Sequence, residues 1–380
     1  MGFEPLGGRF FEFFACLGVL EERRFIRFGW NFSDNIQIVF DEMRYRNMKF
    51  SPKPILLVGL IVCCAGTLLV GLQSHGKDQG TAITDEKKTI LIIRGASTHG
   101  KDSHNNDQVG QLIKDKLEKS QYADSFEVQT TLNYPKDLSL VENADLIIIS
   151  SDGGGQHALL DQKNPTKHTK HLDGVLKKNK TGLIVIHWAT DAPSGGMGQL
   201  HPENSKMMMD WIGAVYYWVK KAKDPESSWT WKFPVLDLKV DQSHPISNGV
   251  PETFCLQDEY YFNFFTVKDG RNPGSDKVTF LHTANAPSHR SDMNNKENWR
   301  DQAVYWSFER ENGGRSVAMT SAHFYHTWAN SHFFQSFTNS IFWALELDVP
   351  EEGVGIETPT LDELLSYQGT EIYKLGRHFE

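Results

Sequence analysis

Residues 182–191 read GLIVIHWATD, and this segment is the clearest indication of the fold class in the sequence. The apolar run at residues 183–186 leads without a break into His187 and Trp188. Strands that are apolar throughout are typical of parallel sheets, because helices cover both faces of such sheets. Reactive side chains in these proteins gather at the carboxyl ends of the strands. The stretch therefore predicts a buried parallel strand that presents an imidazole at the functional edge of its sheet.

Similar patterns lie upstream of this strand. Strand-like runs occur at residues 89–93, 126–130 and 144–150, and helical spacing occurs at residues 109–117 and 172–178. Strands that alternate with helices predict an α/β fold. Because the crossovers are right-handed, we expect a doubly wound, flavodoxin-like parallel sheet.

The C-terminal half is richer in strands. Strand patterns follow at residues 235–240, 278–282, 303–308 and 316–320. We expect these strands as β-rich additions to one domain that spans residues 89–348 and closes with a helix at residues 333–347. Residues 349–380 are expected to form a peripheral tail with a short helix at residues 361–365.

The N-terminal part contains a candidate membrane segment. Residues 55–72 are without charge, and Lys49 and Lys53 precede them. At about 1.5 Å per residue such a run nearly crosses a hydrocarbon core of about 30 Å. It indicates either an uncleaved anchor or the core of a signal peptide. Because the basic residues come first, we expect the bulk of the chain outside the cytoplasm, membrane-anchored or secreted.

Two further segments flank this run. Residues 1–47 form an atypical extension, and a natural start at Met48 leads to the hypothesis that they are not translated. Residues 48–74 are then the anchor or signal peptide. The polar residues 75–88 suit a linker.

Composition limits the function classes. The chain of 380 residues has a formal net charge of −9, which argues against a protein that binds nucleic acid. Cys255 is the one cysteine in the part expected to be globular, so neither a disulfide framework nor a zinc finger is expected there. No cysteine follows a predicted strand as a nucleophile would.

Residues 94–99, 152–155 and 187–191 each follow a predicted strand, so they are expected to converge at one edge. His187 has two readings there. It is either a general base or metal ligand, or a core histidine bonded to backbone. Gly153 and Gly154 let a ligand approach backbone N–H groups, or they form a plain turn.

Two further groups of polar residues lie in the C-terminal half. Asp258, Glu259 and Tyr260 suit proton transfer or hydroxyl binding. Alternation along a strand would point the two carboxylates to opposite faces, so at most one enters a given site. His323 and His326 are three apart and would share a face if helical, where both could bind one metal. His99 and His104 are candidates to complete such a cluster.

Taken in order, several motifs resemble the ThuA-like (trehalose utilisation) family. They are Arg94-Gly95 with His99, Ile186-His187, His244-Pro245-Ile246, Asp258-Glu259-Tyr260, Ala303-Val304-Tyr305-Trp306 before Gly314-Arg315, Ser321-Ala322-His323 and Phe342-Trp343-Ala344. The resemblance implies a fold similar to class I glutamine amidotransferases and a link to disaccharide and keto-sugar catabolism. Amidotransferases place a nucleophilic cysteine after a central strand, where this chain has His187. Because imidazole cannot form their thioester, a glutaminase is not expected.

This resemblance and the motifs together predict an extracytoplasmic enzyme that acts on a carbohydrate or its keto derivative. The predicted catalytic residues are His187, His323, His99, Asp258 and Glu259. The predicted substrate-binding residues are Arg94, Asp152, Gly153, Gly154, Trp188 and Tyr260. The sequence leaves the cofactor open; the candidate ligands of a divalent metal such as zinc are His99, His187, His323 and His326. The alternative is a non-catalytic, membrane-tethered protein that binds carbohydrate or serves as a scaffold.

Overall fold

A computed structural model describes residues 87–100, 102–195, 201–216, 227–266 and 277–367. The expectations for residues 1–47, for the segment 48–74 and for most of the linker lie outside these ranges. Within them, no helix is long and apolar enough to cross a membrane.

The described part of the chain contains one sheet of nine strands and two small sheets of two strands each, β5 with β10 and β6 with β9. The strands, in chain order, are β1 (Lys88–Arg94), β2 (Phe126–Leu132), β3 (Leu146–Ser150), β4 (Gly182–Ile186), β5 (Ala214–Val215), β6 (Trp229–Trp231), β7 (Val235–Val240), β8 (Thr253–Gln257), β9 (Tyr260–Phe262), β10 (Phe265–Thr266), β11 (Val278–Pro287), β12 (Trp299–Glu309) and β13 (Arg315–Met319). The helices are α1 (Asn106–Glu118), α2 (Ser139–Glu142), α3 (Lys167–Lys178), α4 (Pro202–Ile212), α5 (Ser331–Ala344) and α6 (Leu361–Tyr367).

The predicted α/β architecture is confirmed. One half of the sheet has the order β2-β1-β3-β4-β13, and all four of its pairings are parallel. That is the order of a flavodoxin-like doubly wound sheet, and it makes the strand of the GLIVI stretch central. The β-rich additions β12, β11, β7 and β8 extend the same sheet with antiparallel pairings. The sheet is therefore mixed rather than wholly parallel.

Side chains that alternate along the parallel strands build a core on each face of the sheet. Ile184 and Ile186 pack on the side that also contains α1 and α5 residues such as Leu112 and Phe337. Leu183 and Val185 face the other side, with Leu172 of α3 and Trp211 of α4. Because both faces are covered, continuous apolar strands are stable here.

The predicted strands and helices lie close to observed ones, and two of the differences bear on the site. The helix α4 was not predicted, although His201 caps its N-terminus, Pro202 starts it and Gly213 ends it with φ 73. These are ordinary helix start and stop signals. Asp258 and Glu259 lie between β8 and β9 rather than within a strand.

The buried His282 in β11 gives a testable effect of pH on stability. His282 packs between Phe254 and Tyr305, and burial lowers its pKa to about 3. In the unfolded chain the His282 imidazole binds a proton near pH 6.5, whereas in the folded chain it stays neutral to a lower pH. The contribution of neutral His282 to stability is therefore full above pH 6.5 and is lost as the pH falls below it. Below pH 6.5, the unfolding free energy of the wild type falls with each pH unit partly because of His282. We expect His282→Leu to reduce that slope by about 1.4 kcal/mol per pH unit.

Urea unfolding of the full chain between pH 7.5 and 5 measures this slope. Ser336 keeps a partner in the variant, because its hydroxyl also donates to the His332 carbonyl oxygen at 2.9 Å. The half-buried His289, changed to Gln, is the control and should keep the wild-type slope. Equal slopes for His282→Leu and wild type would contradict the assignment.

Candidate functional site

Four neighbouring parallel strands end at one edge of the sheet, and the loops after them meet there. The segments after β1, β3, β4 and β13 contain His104, Asp152, His187 and His323. The three predicted edge segments lie together, since the Thr98 hydroxyl donates to Asp152 and Gly153 packs against Trp188.

His187 starts the turn after β4 with a left-handed backbone, φ 53, which is uncommon for any residue but glycine. Its Nδ1 lies 2.5 Å from the Thr320 carbonyl oxygen. Because a carbonyl only accepts, Nδ1 holds the proton and Nε2 is left with a lone pair. Burial, followed by the neighbouring His104 and His323, lowers the pKa of His187 well below its usual value. The imidazole is therefore neutral and presents Nε2 to the site.

His104 lies at the centre and is held by a carboxylate. Its Nδ1 donates to Asp152 Oδ1 at 2.6 Å, and Asn106 donates to the same oxygen at 2.9 Å. His104 Nε2 then faces His187 Nε2 at 3.3 Å and His323 Nδ1 at 2.8 Å. A carboxylate that fixes one ring nitrogen and leaves the other to point inward is the usual support of a metal-binding histidine.

His323 is positioned by Asp258. The buried Asp258 carboxylate accepts the backbone N–H groups of Ala322 at 2.7 Å and His323 at 3.0 Å, and the Thr327 hydroxyl at 2.8 Å. These bonds hold Ala322 at φ 79, a left-handed conformation. Asp258 therefore fixes the loop that presents His323 and does not itself face the histidines.

Glu259 and Tyr261 complete the inner surface. Glu259 Oε1 lies 3.5 Å from His323 Nδ1, and burial raises the pKa of this carboxyl. The Tyr261 ring stacks on His187 with centroids 4.7 Å apart, and its hydroxyl lies 3.0 Å from His187 Nε2. Of the two adjacent carboxylates, Glu259 lies beside His323, and Asp258 accepts backbone N–H groups instead.

We call His104, His187, Glu259 and His323 the donor cluster. All four are buried, and one ligand atom from each lies within 4.8 Å of the others. Three imidazoles and one carboxylate are a donor set that suits zinc and similar divalent ions. Two nitrogens on one tetrahedral zinc lie roughly 3.3 Å apart, given bonds of about 2.0–2.1 Å. The 3.3 Å between His104 Nε2 and His187 Nε2 fits that spacing, whereas the 2.8 Å between His104 Nε2 and His323 Nδ1 is shorter and would have to lengthen around an ion.

The outer surface of the site contains His99 and Trp188. His99 is 42% exposed, and its ring lies against that of His104 with centroids 3.9 Å apart. The half-buried Trp188 presents an edge to His104 at 5.3 Å, and its indole N–H donates to Asp191 at 3.3 Å. Both residues border the donor cluster rather than form it, and His99 makes a second group of possible metal ligands with His104 and Asp152.

Several predicted residues have other contacts. Tyr260 is fully buried in the core and donates to the Leu256 carbonyl oxygen, so it offers no face to a ligand. His326 pairs with Asp102 at 2.5 Å, outside the donor cluster, in place of the expected shared metal face. Arg94 pairs with Asp107.

Gly153 and Gly154 do not form an open cradle. A side chain at Gly153 would clash with the Trp188 carbonyl oxygen at 2.4 Å, and the Gly154 N–H donates to the Asp191 carbonyl oxygen. Asp152 accepts a hydrogen bond from His104 Nδ1, the ring nitrogen that points away from the other histidines. The two glycines therefore let their own backbone lie close to the turn after β4, which occupies the space where a ligand was expected.

The chain is similar to known proteins in sequence and in structure. The ThuA family model, described as trehalose utilisation, matches residues 89–344. No curated protein matches the chain. A solved structure described as ThuA-like, from Bacteroides uniformis, is 14% identical over 68% of this chain and 91% of that chain, with a TM-score of 0.45. A glutamine amidotransferase from Thermotoga maritima is 12% identical over 69% of this chain and 85% of its own, with a TM-score of 0.33. Because the family model matches most of the chain, this protein belongs to the ThuA family.

Proposed function

We propose that this protein is a metal-dependent enzyme of carbohydrate catabolism whose donor cluster holds one divalent ion such as zinc. The observation that supports it most is the convergence of one ligand atom each from His104, His187, Glu259 and His323, all within 4.8 Å of one another. The description of the family as trehalose utilisation supports a sugar or its keto derivative as the substrate.

The surroundings of the donor cluster favour a metal over a set of ordinary core histidines. The outer nitrogens of His104 and His187 already have acceptors, Asp152 and the Thr320 carbonyl. Their inner nitrogens therefore face each other with lone pairs at 3.3 Å, beside the Tyr261 hydroxyl at 3.0 Å from His187 Nε2 and His323 Nδ1 at 2.8 Å from His104 Nε2. A divalent cation between them would replace this repulsion with ligation, and Asp152 would keep the His104 ring in the orientation that ligation needs.

A bound divalent ion would polarise a carbonyl or hydroxyl oxygen of the sugar, or activate a water molecule. The chain supplies the rest of the chemistry. Glu259, whose pKa is raised by burial, is placed to accept a proton beside His323. Tyr261 offers a neutral hydroxyl next to His187. Because His187 occupies the turn where amidotransferases keep a cysteine, amide hydrolysis through a thioester does not fit.

Metal analysis of the full chain tests the proposal. We expect about one ion per chain, and His187→Ala should lose most of it and lower turnover of trehalose or 3-keto-glycosides by roughly a thousandfold. The control His289→Gln changes a histidine outside the donor cluster and should keep both. A metal-free wild-type chain that binds sugar without turnover would favour the non-catalytic alternative instead.

The location outside the cytoplasm is part of the same proposal. The uncharged run at residues 55–72, with Lys49 and Lys53 before it, supports an anchor or a signal peptide. Cell fractionation with protease added from outside measures it. We expect digestion of the ThuA domain in intact cells or its release into the medium, and full protection would contradict the expectation.

A further inference from the structure

His99, His104 and Asp152 form a second group of possible metal ligands beside the donor cluster. One ligand atom from each lies within 4.8 Å of the others. We call these three residues the outer group. Two imidazoles and a carboxylate are ligands that zinc and similar divalent ions accept, with water in the remaining position. The outer group therefore has the chemistry of a metal site, with one protein ligand fewer than the donor cluster.

The outer group differs from the donor cluster in its exposure to solvent. The His99 side chain is 42% exposed, whereas all four residues of the donor cluster are buried. Moving a divalent ion from water to a buried position is costly unless ligands of the protein replace its water molecules on the way. An exposed imidazole beside buried ones can replace the first of these waters. His99 is therefore placed to meet an ion before the donor cluster does.

The outer group and the donor cluster share His104 and use opposite sides of its ring. His104 Nδ1 lies 2.6 Å from Asp152 Oδ1. Its Nε2 lies 3.3 Å from His187 Nε2 and 2.8 Å from His323 Nδ1. The His99 ring lies against that of His104, with centroids 3.9 Å apart. An ion held by the outer group would therefore be separated from the donor cluster by a single imidazole ring.

A neutral His104 can serve only one of the two groups at a time. One nitrogen of a neutral imidazole offers a lone pair, because the other holds a proton. With the lone pair on Nδ1, the Nε2–H group can donate to His323 Nδ1 at 2.8 Å. With the lone pair on Nε2, the Nδ1–H group donates to Asp152. The exchange removes one proton from Nε2 and adds one to Nδ1, so the ring stays neutral and the chain holds one ion.

The bonds of Asp152 make the outer group the weaker of the two sites. Its Oδ1 accepts from Asn106 at 2.9 Å as well as from His104. Its Oδ2 accepts from the Thr98 hydroxyl and lies 3.7 Å from His99 Nδ1, and that nitrogen lies 2.9 Å from the same hydroxyl. An ion in the outer group would have to displace some of these bonds, which offsets part of its binding. Weak binding suits a position that an ion occupies briefly.

From these contacts we propose that the outer group is an entry site, at which a divalent ion binds before it passes to the donor cluster through His104. The inference rests on the metal part of the proposed function and adds the route by which the ion is loaded. An entry site lies on the path into the donor cluster and on the path out of it. Its loss should therefore slow uptake and release by the same factor and leave the affinity unchanged.

Zinc uptake by the metal-free full chain, followed by stopped-flow competition with a coloured zinc chelator, tests this route. We expect His99→Gln to slow uptake and release by about tenfold each, with a Kd within about twofold of wild type. The matched control is His171→Gln, because His171 also pairs with a carboxylate, Glu142 at 3.2 Å, and belongs to neither group. It should keep both rates. A raised Kd with unchanged uptake in His99→Gln would make His99 a ligand of the resting ion and overturn the entry role.

His187→Ala tests the outer group as a site, because it removes a ligand of the donor cluster and leaves the outer group complete. We expect calorimetry with zinc to show binding at least about a hundredfold weaker than in wild type. This weak binding should disappear when His99→Gln is added to His187→Ala. Equal zinc binding in His187→Ala with and without His99 would overturn the outer group as a metal site.

The outcomes separate the entry site from the proposed function. Equal rates of uptake and release in His99→Gln and wild type would overturn the entry site and leave the metal enzyme in place. Zinc that is lost in His99→Gln but kept at full affinity in His187→Ala would make the outer group the resting site, and would overturn both the entry role and the donor cluster. A wild-type chain that takes up no zinc would also overturn both.

Discussion

Replacing His104 with Gln should remove the metal and, with it, the activity. We expect bound metal to fall from about one ion to below about 0.1 per chain, and turnover to fall by roughly a thousandfold. His104 is the residue whose inner nitrogen faces both His187 and His323, so its loss leaves these two with no common partner. Glutamine keeps a polar group that can bond Asp152, so the fold should survive. Inductively coupled plasma mass spectrometry and circular dichroism measure the two outcomes.

His99→Gln is the matched control. His99 comes from the same loop and its ring lies against that of His104, but it is 42% exposed and outside the donor cluster. We expect it to retain its metal. Loss of metal in His99→Gln together with retention in His104→Gln would reverse the assignment of the two residues.

Asp258→Asn should cost about 3 kcal/mol of unfolding free energy. The buried carboxylate accepts the N–H groups of Glu259, Ala322 and His323, and an amide NH₂ in its place would face donors and leave buried groups unpaired. Burial raises the pKa of Asp258 to about 6 despite these bonds. Protonation in the folded state therefore begins near neutral pH.

Glu259→Gln, one residue along, should behave in the opposite way. Its oxygen faces His323 rather than backbone donors, so we expect a stability change below about 1 kcal/mol together with lower metal affinity and turnover. Urea unfolding and metal titration of both variants distinguish the two roles. A stable Asp258→Asn, or a Glu259→Gln that unfolds while binding metal normally, would contradict the division between them.

The fold could be predicted from local patterns because the apolar runs of the parallel strands are buried on both faces. Residues 182–186 and 235–240 are strands with the predicted bounds. The patterns could not show that β12, β11, β7 and β8 continue the same sheet, because antiparallel pairing between distant segments leaves no local signal.

The site was predicted in part. His187 comes directly after β4, and His323 lies in the loop that follows β13, so their place at the edge follows from topology. The prediction named His99, whereas the donor cluster contains His104. Both histidines come from one loop and lie near Asp152, and only the folded path of the loop buries His104 against His187 and His323. Tyr261 was passed over for Tyr260, since adjacent residues point to opposite sides and the pattern does not tell which side faces the histidines.

The central claim is that the three imidazoles of the donor cluster bind one divalent ion, with Glu259 beside them. An anomalous difference map from crystals of the full chain, recorded at the zinc absorption edge, tests it most directly. We predict one peak about 2.0–2.1 Å from His104 Nε2, His187 Nε2 and His323 Nδ1. A zinc-loaded crystal with no peak among these atoms, or with its peak elsewhere, would contradict the claim.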